Sequence, residues 1–151
     1  MFLATGGFVG NIPVAPGTFG SLLGIPLCYA FSKVGLPLAV SGMLGLIAVA
    51  IWIAQLAETI TNQKDPGKIV IDEIAGMVVT LIGVPFHLTS VVTGFFIFRA
   101  LDILKPFPIR LLERRISGGA GVVLDDVAAG IFSNILVRLA LYFFLQRTIP
   151  A

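Results

Sequence analysis

Four sets of residues in this sequence have types and spacings that could do chemistry. Asp72 and Glu73 are adjacent at the start of an apolar run, with Lys68 four residues before Asp72 and Gly76 four residues after it. Arg99, Asp102 and Lys105 recur every three residues. Asp125 and Asp126 are again adjacent, and Asp126, Gly130, Asn134 and Arg138 follow at steps of four, which puts them on one face of a helix. Gln55, Glu58, Thr59 and Asn62 form a polar stripe at the end of a long apolar segment. Carboxylates gathered from separate segments suit a hard cation such as Mg²⁺, which takes oxygen ligands and commonly bridges carboxylates to a substrate phosphate. Zinc suits them poorly, because the chain has one histidine, His87, and one cysteine, Cys28.

Each set also has a plain structural reading. A single carboxylate is enough to complement the dipole at a helix start, so the second acid in each pair is surplus to capping. Arg99, Asp102 and Lys105 could form a local ion ladder worth a few tenths of a kcal/mol. Alternatively, Lys105 or Arg99 holds a phosphate while Asp102 holds a metal or activates a water. The Gln55 stripe could be a helix end meeting water. The run from Asn11 to Ser21 is a Gly/Pro loop leading into a helix. There Gly17, Thr18, Gly20 and Ser21 offer N–H groups and hydroxyls to an anion, or they form a capped turn with Thr18 as the cap. The run is no Walker A loop, since the Gly-Lys-Ser/Thr ending is missing. Cys28, between Leu27 and Tyr29, reads as a packed thiol, and His87 as a turn or interfacial residue.

The elements that must position these groups are apolar. The chain has 151 residues, of which 57% are hydrophobic and 12% charged, and its mean hydropathy is +1.02. An average soluble domain is about 25% charged. The composition therefore excludes disorder, a nucleic-acid binder and an ordinary soluble monomer, and the length fits one domain over residues 1–151. The net charge of +2 is too small to say anything about acidic partners. Residues 1–32, 34–57 and 74–98 carry no charge, and the last two runs are long enough for a membrane span of about 20 residues. The N-terminus lacks the basic start and cleavage site of a signal peptide.

The expected fold is all-α: a polytopic membrane helical bundle that inserts through its own segments. A first helix runs from Thr18 to Phe31 and a second, a clear span, from Pro37 to Asn62. Gln63 to Lys68 form a polar loop. The 74–98 run is interrupted at Val84-Pro85-Phe86-His87, and proline breaks a helix. The two arms, each ~16 Å long, reach half of the ~30 Å hydrocarbon core, so the run reads as a short-helix hairpin that dips in and returns. A basic amphipathic stretch from Lys105 to Arg115, a turn at Gly118, Gly119 and Gly121, and a last helix from Asp125 to Gln146 complete the chain.

Lys64, Lys68, Lys105, Arg110, Arg114 and Arg115 all lie in connections, which favours the cytoplasmic side for them. The hairpin then gathers Glu58, Asp65, Asp72, Glu73, Asp102, Asp125 and Asp126 in a cytoplasm-facing layer. Glu113 reads as a surface partner of Arg110, Arg114 and Arg115. Arg138 falls ~20 Å along the last helix from Asp125, so it must meet an acid, a cavity or a sheltering neighbour. Ala128, Ala129 and Gly130 permit close helix approach, including in a homo-oligomer.

Taken together, the Pro-x-Ala-Pro-Gly-Thr-x-Gly-Ser run from Pro13 to Ser21, the Lys-Asp-Pro-x-x-Ile-Val-x-Asp-Glu-x-x-Gly run from Lys64 to Gly76, Phe98-Arg99 with Asp102-Ile103-x-Lys105-Pro106, and Asp125-Asp126-x-x-Ala129-Gly130 resemble the phosphatidylglycerophosphatase A family. The resemblance runs in the family's order from residue 5 to about residue 135, with Gly67 a departure in a loop. It implies a Mg²⁺-dependent phosphoric monoester hydrolase of the bacterial inner (cytoplasmic) membrane. Such an enzyme converts phosphatidylglycerophosphate to phosphatidylglycerol and phosphate.

On that basis Glu58, Asp72 and Asp126 are expected to hold Mg²⁺, and Glu73 or Asp102 to act as general base, with Asp125 beside them. Lys105 and Arg99 would offset charge on the phosphoryl oxygens, and Lys68 with Gly17, Thr18, Gly20 and Ser21 would bind the substrate. No haloacid-dehalogenase Asp-x-Asp motif, no Cys-x₅-Arg loop and no histidine among arginines is present. Metal-assisted hydrolysis, or an aspartyl-phosphate outside the known motif, remains. A CDP-alcohol phosphatidyltransferase is disfavoured because its Asp-x₂-Asp-Gly-x₂-Ala-Arg motif is missing. A small transporter or channel lined by Asp126, Asn134 and Arg138 is the alternative from another class. A structural subunit would leave the paired carboxylates idle.

Overall fold

In a computed structural model the chain is described over residues 1–63 and 66–148, apart from the side chains of residues 113, 114 and 144–148. The readings of Lys64 and Asp65, and of the Glu113 and Arg114 side chains, lie outside the described residues. The elements are a 3-10 turn at Val9–Asn11 and six helices: α1 (Pro16–Ser32), α2 (Leu36–Thr61), α3 (Ile71–Leu81), α4 (Leu88–Leu104), α5 (Ile109–Arg115) and α6 (Gly119–Thr148). No strand occurs among the described residues.

Two helices are long and apolar enough to cross a membrane: α2 throughout, with a mean hydropathy of 2.2, and α6 over Gly119–Phe143, at 1.6. At 1.5 Å per residue α2 is about 39 Å long, more than the ~30 Å hydrocarbon core. Leu38, Leu44, Trp52 and Ile60 on α2 and Ile131, Ile135, Leu139 and Phe143 on α6 are exposed. Large exposed apolar faces of this kind are rare on soluble monomers.

The short helix α3 is the centre of the bundle. From Ile74 to Leu81 every residue is buried, and α1, α2, α4 and α6 all pack on it. It forms an antiparallel hairpin with α4, in which Gly76 lies against Phe98 and Gly94 against Thr80 and Leu81. The hairpin expected from Val84-Pro85-Phe86-His87 is present, and His87 immediately precedes α4. The α4 arm is longer than expected, at 17 residues.

Against α6, α3 runs parallel and very close. A Cβ on Gly130 would lie 2.5 Å from Gly76 O, and one on Gly76 would lie 2.5 Å from Phe98 and 2.9 Å from Asp126 O. One turn on, Asn134 Nδ2 donates to Val79 O, Thr80 O and Ile82 O at 2.9–3.2 Å. Arg138 Nη2 donates to Ile82 O at 3.1 Å. The last carbonyls of α3, which have no acceptor role within the helix, are thus satisfied by α6. Arg138 meets carbonyls rather than an acid.

Three boundaries differ from expectation. α6 begins at Gly119, because Gln55 Oε1 accepts the Gly119 N–H at 2.9 Å and the glycine lets its first turn sit against Ile51 O and Gln55 N of α2. Asp125 and Asp126 therefore lie in the second turn, not at the helix start. α1 begins at Pro16, with Ala15 before it at φ 50° and no side-chain cap, so Thr18 lies inside the first turn. The basic stretch is helical only over Ile109–Arg115, since Pro106 and Pro108 lack the N–H groups a helix needs. Cys28 is buried, as expected, with its Sγ 3.5 Å from Met77 O.

The α3–α6 crossing has a measurable consequence. Gly130→Ala is expected to destabilise the protein by about 1–3 kcal/mol through overpacking. Gly45→Ala, where the added Cβ meets nothing within 4 Å, should leave stability unchanged or raised. Thermal unfolding of the two variants in micelles checks this, and equal midpoints would contradict it.

Candidate active site

The parallel register of α3 and α6 decides what meets. Asp72 stands four residues before Gly76 and Asp126 four before Gly130, so the glycine contact brings both aspartates together one turn away. Glu73 joins them: one carboxylate oxygen from each of Asp72, Glu73 and Asp126 lies within 4.8 Å of the others. Asp72 and Asp126 are buried and Glu73 half-buried. Glu73 Oε2 and Asp126 Oδ2 are buried oxygens with no hydrogen-bond partner.

Two cations stand beside the group. Arg99 Nη1 donates to Asp102 Oδ2 at 2.6 Å and to Ser21 Oγ at 3.4 Å, and Ser21 in turn donates to Gly17 O at 2.8 Å. A Cβ on Gly17 would collide with Glu73 Oε1 and approach Arg99. The N-terminal turn of α1, in which Pro16 has no N–H and the Thr18 N–H donates to Ala15 O at 3.0 Å, is thereby seated beside the Glu73 carboxylate. Lys105 closes α4 with φ 41°, an unusual backbone for a residue with a side chain. Its ammonium reaches Asp125 Oδ2 at 2.6 Å, so it leaves the ladder with Arg99 and Asp102 and ties α4 to α6.

The group concentrates negative charge. The Asp102 charge acts on Glu73, Asp125 and Asp126, while Arg99 pairs with Asp102 and Lys105 with Asp125. Two like charges about 4 Å apart repel by roughly 4 kcal/mol at an effective dielectric of about 20. Burial pushes the Glu73 carboxyl above its ordinary range and Asp102 adds to the rise, while a hydrogen bond with Asp72 and the charge of Arg99 pull it back. An all-oxygen donor set with unpartnered buried oxygens fits a hard divalent cation. Zinc does not fit: Cys28 is bonded to Met77 O, and His87 lies at the opposite end of the α3–α4 hairpin.

Comparison with known proteins was decisive. The family model for phosphatidylglycerophosphatase A matches residues 2–141. The chain belongs to the phosphatidylglycerophosphatase A family. It is accordingly a phosphatase acting on a phosphoric monoester. It is 38% identical to phosphatidylglycerophosphatase A of Escherichia coli, over 87% of this chain and 77% of that protein. With the Haemophilus influenzae protein of the same name the identity is 34%, over 95% and 89%. A putative phosphatidylinositol-3-phosphatase of Bacteroides thetaiotaomicron is 35% identical over 93% and 92%. No solved structure gives a significant match.

Of the expected site residues, this family member brings together Asp72, Glu73, Asp102, Asp125 and Asp126 with Arg99, Lys105, Gly17 and Ser21. Gly20 packs on Val70 instead, and Thr18 is in the same first turn of α1. Glu58, half-buried on α2, is outside the three-carboxylate group. Lys68 is exposed in the loop before α3, on a cavity of about 500 Å³ shared with Thr5, Asn11 and Gln63. Glu73, expected as a general base, is the third carboxylate of the group, where Glu58 was expected. Its adjacency to Asp72 was visible, but which of two neighbouring side chains turns toward α6 depends on the packing of α1 against α3.

Lys105 and buried Asp125 are expected to be coupled. A double-mutant cycle of Lys105→Met and Asp125→Asn in thermal stability should give an interaction energy above about 0.5 kcal/mol. Strict additivity would contradict the pairing.

Proposed function

We propose that this chain hydrolyses phosphatidylglycerophosphate to phosphatidylglycerol and phosphate at the Asp72–Glu73–Asp126 group. We place it as a multi-pass protein of a bacterial cytoplasmic membrane, with this group facing the cytoplasm. The carboxylate triad beside Arg99 and the α1 N-terminus carries the reading. Family membership and the names of the two phosphatidylglycerophosphatase A relatives support the substrate. The basic residues Lys68, Lys105 and Arg110 at the carboxylate end support the orientation.

Asp72, Glu73 and Asp126 would hold Mg²⁺, which when bound polarises the phosphate and favours deprotonation of the attacking water. With Glu73 among the donors, Asp102 is the base, and Arg99 orients it at 2.6 Å. Arg99 and the Gly17 N–H at the start of α1 would receive the phosphoryl oxygens, where charge is stabilised without reorganisation. Asp125 holds the Lys105 ammonium at 2.6 Å at the rim of the site, where its charge favours a phosphate. Water attacks phosphorus, the bond to the glycerol oxygen breaks, and that oxygen takes up a proton as the second alcohol of the product forms.

The channel alternative finds no support. Asn134 and Arg138 do not line an open path, since they are bonded to the carbonyls that end α3. A phosphoinositide substrate, which the name of the Bacteroides relative raises, shares the monoester chemistry and is separated by assay.

Purified protein in micelles is expected to release phosphate from phosphatidylglycerophosphate with Mg²⁺, to stop with EDTA, and to prefer this lipid over phosphatidylinositol-3-phosphate. Asp72→Asn and Asp126→Asn should each lower turnover by about 10²-fold or more, the scale of one lost charge-stabilising contact. EDTA-insensitive release, or folded variants with wild-type turnover, would overturn the mechanism.

A further inference from the structure

At the far end of the bundle lies a cavity that the hydrolysis does not use. A cavity of about 560 Å³ is bordered by His87, Thr89, Ser90, Arg138, Leu141 and Tyr142. It lies at the start of α4, a 17-residue helix whose first residue is preceded by His87 with no side-chain capping bond. The first N–H groups of α4 therefore have no acceptor in the helix or from a cap, and the positive end of its dipole borders the cavity. Ser90 is 1% exposed, and its hydroxyl has no hydrogen-bond partner. Such a buried hydroxyl calls for one.

Arg138 supplies the charge. Its Nε donates to Asn134 Oδ1 at 2.7 Å and its Nη2 to Ile82 O at 3.1 Å, which orients the guanidinium. Two of its five N–H groups are used this way, and among the described residues no carboxylate is its partner. All the described acids except Glu58 belong to the opposite cluster, and Glu58 lies near the α2 end that packs on the start of α6. The distal end is thus cationic, with Lys33 at the close of α1 and Leu36 at the start of α2 near Gly83 and Arg138.

An uncapped helix start, an oriented arginine and a buried unpartnered hydroxyl border one cavity, and donors of these kinds bind phosphate. The rim is apolar, with Leu88 80% and Tyr142 57% exposed. We propose that this cavity binds the phosphate of an anionic glycerophospholipid in the leaflet opposite the carboxylate site. Arg138 lies ~18 Å along α6 from Asp126, and basic pockets between membrane helices recognise anionic headgroups in this way. The leaflet assignment rests on α2 and α6 crossing the membrane. The phosphate site does not rest on the phosphatase reading. Free inorganic phosphate has the same donors available to it, and the test separates the two sources.

The test is native mass spectrometry of the full chain released from micelles, offered equal dioleoylphosphatidylglycerol and dioleoylphosphatidylcholine. Asp72→Asn is run in parallel, because the catalytic end also accepts anionic lipid. Wild type and Asp72→Asn are expected to retain the anionic lipid about tenfold over the zwitterionic one, the scale of one charged hydrogen-bond contact. Arg138→Gln should bring the two lipids to parity while turnover is unchanged, and Ser90→Ala should lower the preference several-fold even if Arg138→Gln fails to fold. A preference lost in Asp72→Asn but kept in Arg138→Gln, or no preference in wild type, overturns the proposal. So does inorganic phosphate that raises the thermal midpoint of wild type but not Arg138→Gln while neither lipid is retained.

Discussion

The close crossing of α3 and α6 at Gly76 and Gly130 is the contact on which the rest of the molecule depends. With no side chain on either residue, the two backbones approach until Gly130 lies against Gly76 O and Gly76 against Asp126 O. The parallel register then pairs residues one turn apart along both helices. Asp72 meets Asp126 on one side of the crossing, and Asn134 meets the Thr80 carbonyl on the other. A site and the cap of a buried helix end are built from the same spacing of four.

That geometry concentrates negative charge where water is scarce. Arg99 and Lys105 each neutralise one acid outside the triad, Asp102 and Asp125 respectively. This leaves Asp72, Glu73 and Asp126 facing one another, with buried oxygens of Glu73 and Asp126 unpartnered. Carboxylates so placed are costly unless a proton or a cation intervenes. The same arrangement sets an oxygen cradle beside the start of α1 and Arg99, both suited to a phosphate. Stability is sacrificed at the place where phosphoryl chemistry needs fixed charge.

Much of this was legible in the sequence because helical spacing maps residues to faces without knowledge of the fold. The long apolar run of α2, the break at Pro85 and the i+4 file from Asp126 to Arg138 each depend only on local periodicity. What remained hidden depended on contacts between distant segments. Gln55 extends α6 back to Gly119 by accepting its N–H, and no local signal near Gly118 announces it. Lys105 turns away from Asp102 to Asp125 because Pro106 ends α4 there and the chain bends toward α6. Glu58 reads as equivalent to Asp72 by charge and helix end, yet the face of α2 that packs against α3 and α6 is made by Ala54 and Ala57.

The central claim is that Asp72, Glu73 and Asp126 form one cation site by virtue of the α3–α6 register. Mn²⁺ titrated into the purified chain and followed by electron paramagnetic resonance tests it most directly, since the readout needs no turnover. One tight Mn²⁺ per chain is expected, lost in Asp72→Asn and in Asp126→Asn and retained in Glu58→Gln. Stoichiometric binding that survives Asp126→Asn, or none in the folded wild-type protein, would contradict it.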